Sequence, residues 1–364
     1  MAGKAFLQKH FDENYGGLVS NPTTFFPETF RLCHAYIKET FRSVLTGKGW
    51  EVSDAIEGYL LKRKSPTQSW QCVHGGSSCS IVAKIGTKLY IANVGDSSGI
   101  MCSKVPIFSP ADFVHLVDAA EPPAPRPAVS SLFEHGSSLS DSLVITAEHS
   151  PESPEEFMRL RAFRPRELDS LQPSLNVVYD AQSQDKNQCA TVFRVDTDGV
   201  PSVTNNGKYY KNVRKEWASL VATPTSARFQ DALAFTRSLG DLHLQVYGVT
   251  HLPEVHMVDL EVLFNRLEKV LTEEDGTAPV KPIICLVLST DGVWDNWLYE
   301  DVTKFVMDDS CLAAVAAGCD GARRVTQSFM SRNITYSKRN FGSQADNATG
   351  ILLYLSTFAE FPQA

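Results

Sequence analysis

Apolar positions along the chain follow two periods, and the change between them predicts the elements. Phe30, Cys33, Ile37, Phe41 and Val44 recur at helical spacing, which predicts an amphipathic helix over about 28–45. Further on the period shortens. Ser78–Ile85 and Lys88–Val94 are two apolar runs separated by Gly86-Thr87, and glycine first in a two-residue loop is a hairpin signal. Ile100-Met101-Cys102 begins a third strand after the turn Gly95–Gly99. Leu143–Thr146 and Val255–Val258 read as short strands, Leu260–Leu271 as a helix and Glu273–Lys281 as the loop after it. Ile283–Ser289 is an unbroken apolar run, as expected of a buried strand. Val302, Phe305 and Val306 mark a helix after it, Ala313–Phe329 marks another, and Thr349–Leu355 is the last strand. Ser153-Pro154-Glu155-Glu156 is a capping box with proline at the first helical position, so a helix starts there.

The stretches between these elements set the organisation. Residues 119–128 are rich in proline and alanine and cannot continue a sheet, so about 103–140 reads as a surface insertion. Residues from about 165 to 230, rich in Asn, Gln, Ser and Asp, read as an irregular flap or second insertion. No internal repeat is visible. Antiparallel strands interrupted by paired helices predict an α+β layered fold in one domain over 1–364, rather than a doubly wound sheet.

Composition narrows the function classes. Of 364 residues 43 % are apolar and 21 % charged, which supports a sizeable core and excludes a disordered chain. The net charge of -8 disfavours wholesale binding of nucleic acid or of an acidic membrane. Lys208–Lys215 gathers four cations among aromatics and reads as solvated surface. Eight cysteines occur without CxxC or paired spacing, so neither a disulfide framework nor a zinc site is expected. Met1–Phe11 holds no apolar run of signal-peptide length, and no segment approaches the roughly twenty apolar residues of a membrane span. A monomer in a reducing interior, cytoplasmic and/or nuclear, is the expectation.

The most informative chemistry lies at the end of the buried strand. Asp291 and Asp295 straddle Gly292 there, and rigid carboxylates are what a hard divalent cation needs. The alternative is that they cap the following turn. Asp346 stands before the final strand and is open to the same two readings. Gly95-Asp96-Ser97 reads as a turn whose side chains satisfy backbone amides, with metal ligation the alternative. Arg237 reads as half of an internal ion pair, and His149, after Glu148, as a hydrogen-bonded structural histidine. His74 precedes a Gly-Gly turn and is the histidine with better solvent access. No Ser-His-Asp order, Walker loop or HExxH is present.

Seven short motifs occur in a fixed order: Gly76-Ser77-Ser78, Ala92–Ser97, Thr146–Pro151, Thr236–Asp241, Pro253-Glu254-Val255, Ser289–Asp295 and Ala345–Thr349. Together they resemble the metal-dependent protein phosphatases of the 2C type, over about residues 75–355. Residues 6–45 resemble the two helices that precede the first motif in that family. The resemblance implies a four-layer α-β-β-α sandwich of two antiparallel sheets flanked by helices. It implies two manganese or magnesium ions (Mn2+ or Mg2+) that activate a water toward phosphoserine or phosphothreonine. By motif, Asp291 and Asp346 would be metal ligands, and Asp295 and Glu148 would belong to a third, weaker site, where the family usually has Asp in place of Glu148. Arg237 and Asp241 match a structural motif.

Against the family pattern, the first metal motif, Asp-Gly-His-Gly-Gly, has no counterpart here, nor has the earlier segment with the phosphate-binding arginine and a Glu-Asp metal pair. Asp12, Glu13 and Gly16-Gly17 follow a helical stretch instead of a buried strand and do not stand in for it. Ser98 stands where the family has arginine. The resemblance therefore implies that the N-terminal strands are missing, that metal binding is weakened, and that an edge of one sheet is unpaired. The expected function is a metal-dependent protein serine/threonine phosphatase, weak or inactive as this chain, acting on a phosphoprotein. The alternative is a catalytically dead pseudophosphatase that binds a regulatory protein.

Overall fold

The computed structural model describes residues 2–116, 139–163, 175–182, 185–275 and 282–356. Two four-stranded antiparallel sheets form its centre. Their strands in chain order are β1 (Cys79–Ile85), β2 (Lys88–Val94), β3 (Ser98–Ser103), β4 (Phe113–Leu116), β5 (Ser142–Val144), β6 (Glu254–Asp259), β7 (Ile283–Ser289) and β8 (Gly350–Ser356). One sheet runs β1-β2-β6-β4 and the other β8-β7-β3-β5. The helices are α1 (Ala2–Glu13), α2 (Tyr15–Ser20), α3 (Pro22–Gly47), α4 (Pro154–Ala162), α5 (Leu260–Asp275), α6 (Tyr299–Val306), α7 (Asp309–Ala316) and α8 (Cys319–Phe341).

Alternation along the strands sends side chains to different layers. Ala92 and Val94 of β2, with Val255 of β6, pack against Phe26, Phe30 and Cys33 of α3. Leu89 and Ile91 of the same β2 face the opposite way. They join Met101, Ile284, Leu286 and Leu355 of the second sheet, with Leu263, Phe264 and Leu267 of α5. The second sheet turns Ile100, Cys102, Cys285 and Val287 toward Val302 and Val306 of α6 and Phe329 of α8. Each such buried aliphatic or aromatic side chain contributes about 1.5–3 kcal/mol, against about 0–1 for a surface ion pair, so these clusters hold the layers together.

The mixed helices and antiparallel sheets match the expected class, and several boundaries differ for identifiable reasons. The helix expected over 28–45 starts at Pro22, because the Asn21 carboxamide oxygen caps the Thr24 amide and Pro22 takes the first helical position. The helix expected over 313–329 is two helices, broken where Gly318 adopts φ +105°. Gly321 lets them pack: a Cβ there would meet the Ala314 carbonyl oxygen at 1.6 Å. Ser153 caps α4 as expected, accepting from the Glu156 amide at 3.3 Å. The Glu156 side chain turns inward instead of closing the box. The loop expected over 273–281 is helical to Asp275, and residues 276–281 lie outside the described residues.

The stretch expected to be irregular holds short strands among its loops. Residues 164–174 and 183–184 lie outside the described residues, as do 117–138 of the expected insertion about 103–140. Between and beyond them, Asn176–Tyr179, Ser219–Ala222 and Ala232–Leu233 form a three-stranded sheet, and Phe193–Val195 pairs with Pro201–Val203. Val177, Tyr179, Val192 and Val221 pack there with Leu160 of α4. Strands of two to four residues are too short for alternation to register in the sequence. A second small meander, Glu51–Asp54, Leu60–Arg63 and Gln71–Cys72, follows α3. Among the described residues no helix is long and apolar enough to cross a membrane.

Candidate active site

The register of three neighbouring strands builds the site. Ser289, the last residue of β7, lies opposite Gly350 of β8 on one side and Ser98 of β3 on the other. Asp291 just past β7, Asp346 just before β8 and Asp96 just before β3 therefore meet at one end of one sheet. The Thr290 amide donates to the Thr349 carbonyl at 3.0 Å, and the Thr349 amide to Thr290 Oγ1 at 3.1 Å, which holds two of the tips together. Glycine is required at Gly292, where a Cβ would stand 2.3 Å from the Asn347 carbonyl oxygen. The Trp294 indole N–H points at the carbonyls of Ser98 (3.0 Å) and Ser289 (2.9 Å). The Asn296 and Asn333 amides each donate to the Gly292 carbonyl at 3.0 Å. The turn after β7 is thus fixed by polar bonds as well as by packing.

Crowding of like charges marks the site electrostatically. Burial, then the Asp291 and Asp346 charges, push Asp96 up to about 6. Burial and Asp346 also raise Asp291, although the Gly292 amide donates to its Oδ1 at 2.8 Å. Burial and Asp291 push Asp295 up to about 7. Carboxylates that raise one another in this way have a shortage of nearby positive charge, which a divalent cation would supply.

One cation already faces them from the chain itself. Lys211 opposes the shifts of Asp96, Asp291 and Asp295 alike. It belongs to a tight loop in which its amide donates to the Glu216 carbonyl at 2.8 Å and its Nζ stands 3.5 Å from Glu216 Oε2. The loop is pinned to the turn after β7. The Val213 amide donates to the Asp295 carbonyl at 3.1 Å, and the Arg214 guanidinium donates to the carbonyls of Trp294 and Trp297. Arg214 also grips Glu216 at 2.8 Å and lies over the Tyr299 ring at 5.1 Å. The expectation that Lys208–Lys215 is solvated surface therefore holds for Lys208 and Lys215 and fails for Arg214, whose side chain is 15 % exposed. Arg214 is drawn inward by Glu216 and by the Trp294 and Trp297 carbonyls.

The structure sorts the residues singled out in the sequence. Asp291 and Asp346 share one strand-tip cluster, and Asp96, read there as a turn residue, joins them. Its signal was present: glycine and acid directly before an apolar strand, the same arrangement as at Asp346. Asp295 lies on the flank toward Asn212, Lys211 and Arg214. Glu148 is exposed, and its charged neighbours are Glu216, Lys211, Glu155 and Arg214, not the strand-tip acids. Among the described residues, the groups with three donor atoms within 4.8 Å of one another lie elsewhere. The strand-tip carboxylates stand farther apart than that; their hard oxygen donors and charge suit a divalent ion, which would keep much of its shell as water. His149 is buried, its Nδ1 3.2 Å from the Gly95 carbonyl, and burial and Arg237 push it well below the usual histidine range. Arg237 is an internal ion-pair partner, of Glu156 (2.6 Å) and Glu254 (2.8 Å).

Residues 32–119 match the family model described as protein phosphatase 2C. Among solved structures, the chain is similar to the serine-threonine phosphatase 2C from Toxoplasma gondii, with 13 % identity, a TM-score of 0.45, and coverage of 96 % of this chain and 71 % of that one. No curated protein matches the chain.

Proposed function

We propose that this chain, whose residues 32–119 match the model described as protein phosphatase 2C, is a metal-dependent serine/threonine phosphatase whose site is the cluster of Asp96, Asp291 and Asp346. We read its layers as the four-layer α-β-β-α sandwich of that family. The observation that carries the proposal is the meeting of three carboxylates from three adjacent strand ends at one place. Asp96, Asp291 and Asp346 would hold the divalent cation, Mn2+ or Mg2+. When bound, such an ion lowers the pKa of a water and screens phosphate charge. The residues of the chain do the rest. The Trp294, Asn296 and Asn333 bonds keep the Asp291 turn rigid, so the carboxylates need no reorganisation. Asp295, held up near neutral pH, can keep or release a proton at the rim of the site. Lys211 offers a positive charge to an incoming phosphate. The substrate is a phosphoserine or phosphothreonine protein.

A second reading, a pseudophosphatase that binds a regulatory protein, is favoured by one specific feature. Lys211 and Arg214 supply positive charge to the acids from within the chain, which offsets part of the attraction for a metal. Turnover decides between the two. With Mn2+ and a small aryl phosphate, the phosphatase reading expects hydrolysis that Asp291→Asn abolishes. Partner capture that persists in Asp291→Asn, with no turnover by either protein, would replace it with the pseudophosphatase.

A further inference from the structure

A second cluster, remote in character from the strand-tip acids, is built from different donors. Cys72 Sγ and one imidazole nitrogen each of His74 and His243 lie within 4.8 Å of one another. Asp231 flanks the two histidines, with Oδ2 2.9 Å from His74 Nδ1 and 3.2 Å from His243 Nε2. In a tetrahedral zinc site with arms of about 2.0–2.3 Å, neighbouring donors stand roughly 3.3–3.6 Å apart. The Asp231–His243 spacing is near that value, the Asp231–His74 spacing is that of a hydrogen bond, and Cys72, His74 and His243 lie within the wider 4.8 Å, so the donors would draw together around an ion.

The buried histidine is the second observation. His243 is 2 % exposed, and its Nδ1 has no hydrogen-bond partner. Its Nε2 approaches Asp231 without hydrogen-bond alignment. A buried imidazole in that position costs free energy unless something else takes its lone pair. The other donors are already oriented. Asp231 Oδ1 accepts from the Ala232 amide at 2.8 Å, and the Asp231 amide donates to Thr223 Oγ1 at 2.9 Å, so Oδ2 is left for the cluster. Cys72 is held by pairing with Leu61, and His243 sits in the helical turn Leu242–Gln245.

The donor set selects the metal. One thiolate, two neutral imidazoles and one carboxylate suit zinc and are poor for magnesium or manganese. The thiolate and carboxylate together balance a 2+ ion, and the thiol proton leaves to solvent on binding. A group of similar size, His115, Glu254 and His256, differs in being engaged: Glu254 accepts from Arg237 at 2.8 Å, and His256 stacks on Phe113 at 4.0 Å. The position of the first cluster gives it a task. It joins the 51–73 meander to the strands at 219–233 and to the turn at 242. The meander's own core is small: Ala55, Tyr59, Leu60, Leu61, Cys72, Val73 and Leu242. Cores of that size lean on staples.

We propose that Cys72, His74, Asp231 and His243 form a closed, tetrahedral, structural zinc site that fastens the meander to the rest of the domain. The proposal stands apart from the phosphatase reading, since none of its ligands belongs to the strand-tip acids. The test is uptake of Co2+ alone, and of Zn2+ in competition, by the full chain stripped of metal. The expected result is one equivalent of Co2+ with intense visible bands of tetrahedral geometry and a thiolate charge-transfer band, both bleached by Zn2+. Cys72→Ser should lose the charge-transfer band. His74→Ala, at an exposed residue where folding is safe, should lose stoichiometric uptake, and Asp291→Asn should keep the whole spectrum. Absence of uptake by folded wild-type protein, a weak octahedral spectrum, or a thiolate band that persists in Cys72→Ser would overturn the proposal.

Discussion

The strand-tip acids and the Cys-His-Asp cluster solve the problem of charge in opposite ways. Asp96, Asp291 and Asp346 are hard oxygen donors, partly open to solvent, and their crowding raises the protonation of Asp96 and Asp291. Their nearest relief is a lysine on a loop. The Cys72, His74, Asp231 and His243 cluster carries fewer charges, softer donors and tighter spacing. The first arrangement suits an ion that must exchange ligands with water and substrate. The second suits an ion that stays. A third place sets the scale for both: Glu156, 2 % exposed in its side chain, is satisfied within the protein by Arg159, Arg237 and the Thr236 hydroxyl.

The largest effect is expected where no metal is involved. Glu156→Ala leaves two buried guanidinium groups without their shared partner and should cost about 3–5 kcal/mol, read as a lower urea midpoint. A loss below about 1 kcal/mol would remove Glu156 as the reference for a fully satisfied buried charge. Next comes chelation. Zinc at about a hundred times its dissociation constant contributes about 2.7 kcal/mol, so stripping it should lower Tm by roughly 3–5 °C. Asp291→Asn should leave Tm within about 2 °C, because that group is strained by repulsion and not stabilised by it. Equal losses in the two experiments would erase the distinction between the sites.

A smaller effect tests the lysine. Lys211→Ala should tighten Mn2+ binding by roughly five- to tenfold in calorimetry, about 1–1.4 kcal/mol, by removing a competing charge. Unchanged or weaker binding would show that Lys211 does not compete with the metal. The smallest effect is on pH dependence. Asp96 at about 6 and Asp295 at about 7 are raised above the ordinary carboxyl value, so the folded chain holds more protons than the unfolded one. Their contribution to stability is fully present below about pH 4 and is lost as pH rises through about 6 to 7. Without metal, Tm should fall across that window, and saturating Mn2+ should flatten the fall. A Tm rising over the same window would contradict the sign.

What the sequence disclosed follows from length and periodicity. The unbroken run Ile283–Ser289 announces β7, so Asp291 and Asp295 stand out at its end. Asp346 stands out for the same reason before β8. Asp96 was hidden because a Gly-Asp-Ser turn explains itself locally, and only the register of β3 against β7 shows that it reaches the same place. Arg214 was hidden because a basic run usually faces water, and its inward turn depends on Glu216 and on carbonyls some eighty residues away. The zinc-type cluster escaped because its four ligands come from a strand end, a loop and a helical turn, and no ligand spacing along the chain records that. The strands at 176–222 are too short for a period to show.

Binding of Mn2+ to the full chain, compared between wild type and Asp291→Asn by calorimetry after zinc has been supplied, tests the central assignment most directly. The account predicts a Mn2+ isotherm in the wild type that is lost in Asp291→Asn and again in Asp346→Asn. Identical isotherms in all three proteins would contradict it.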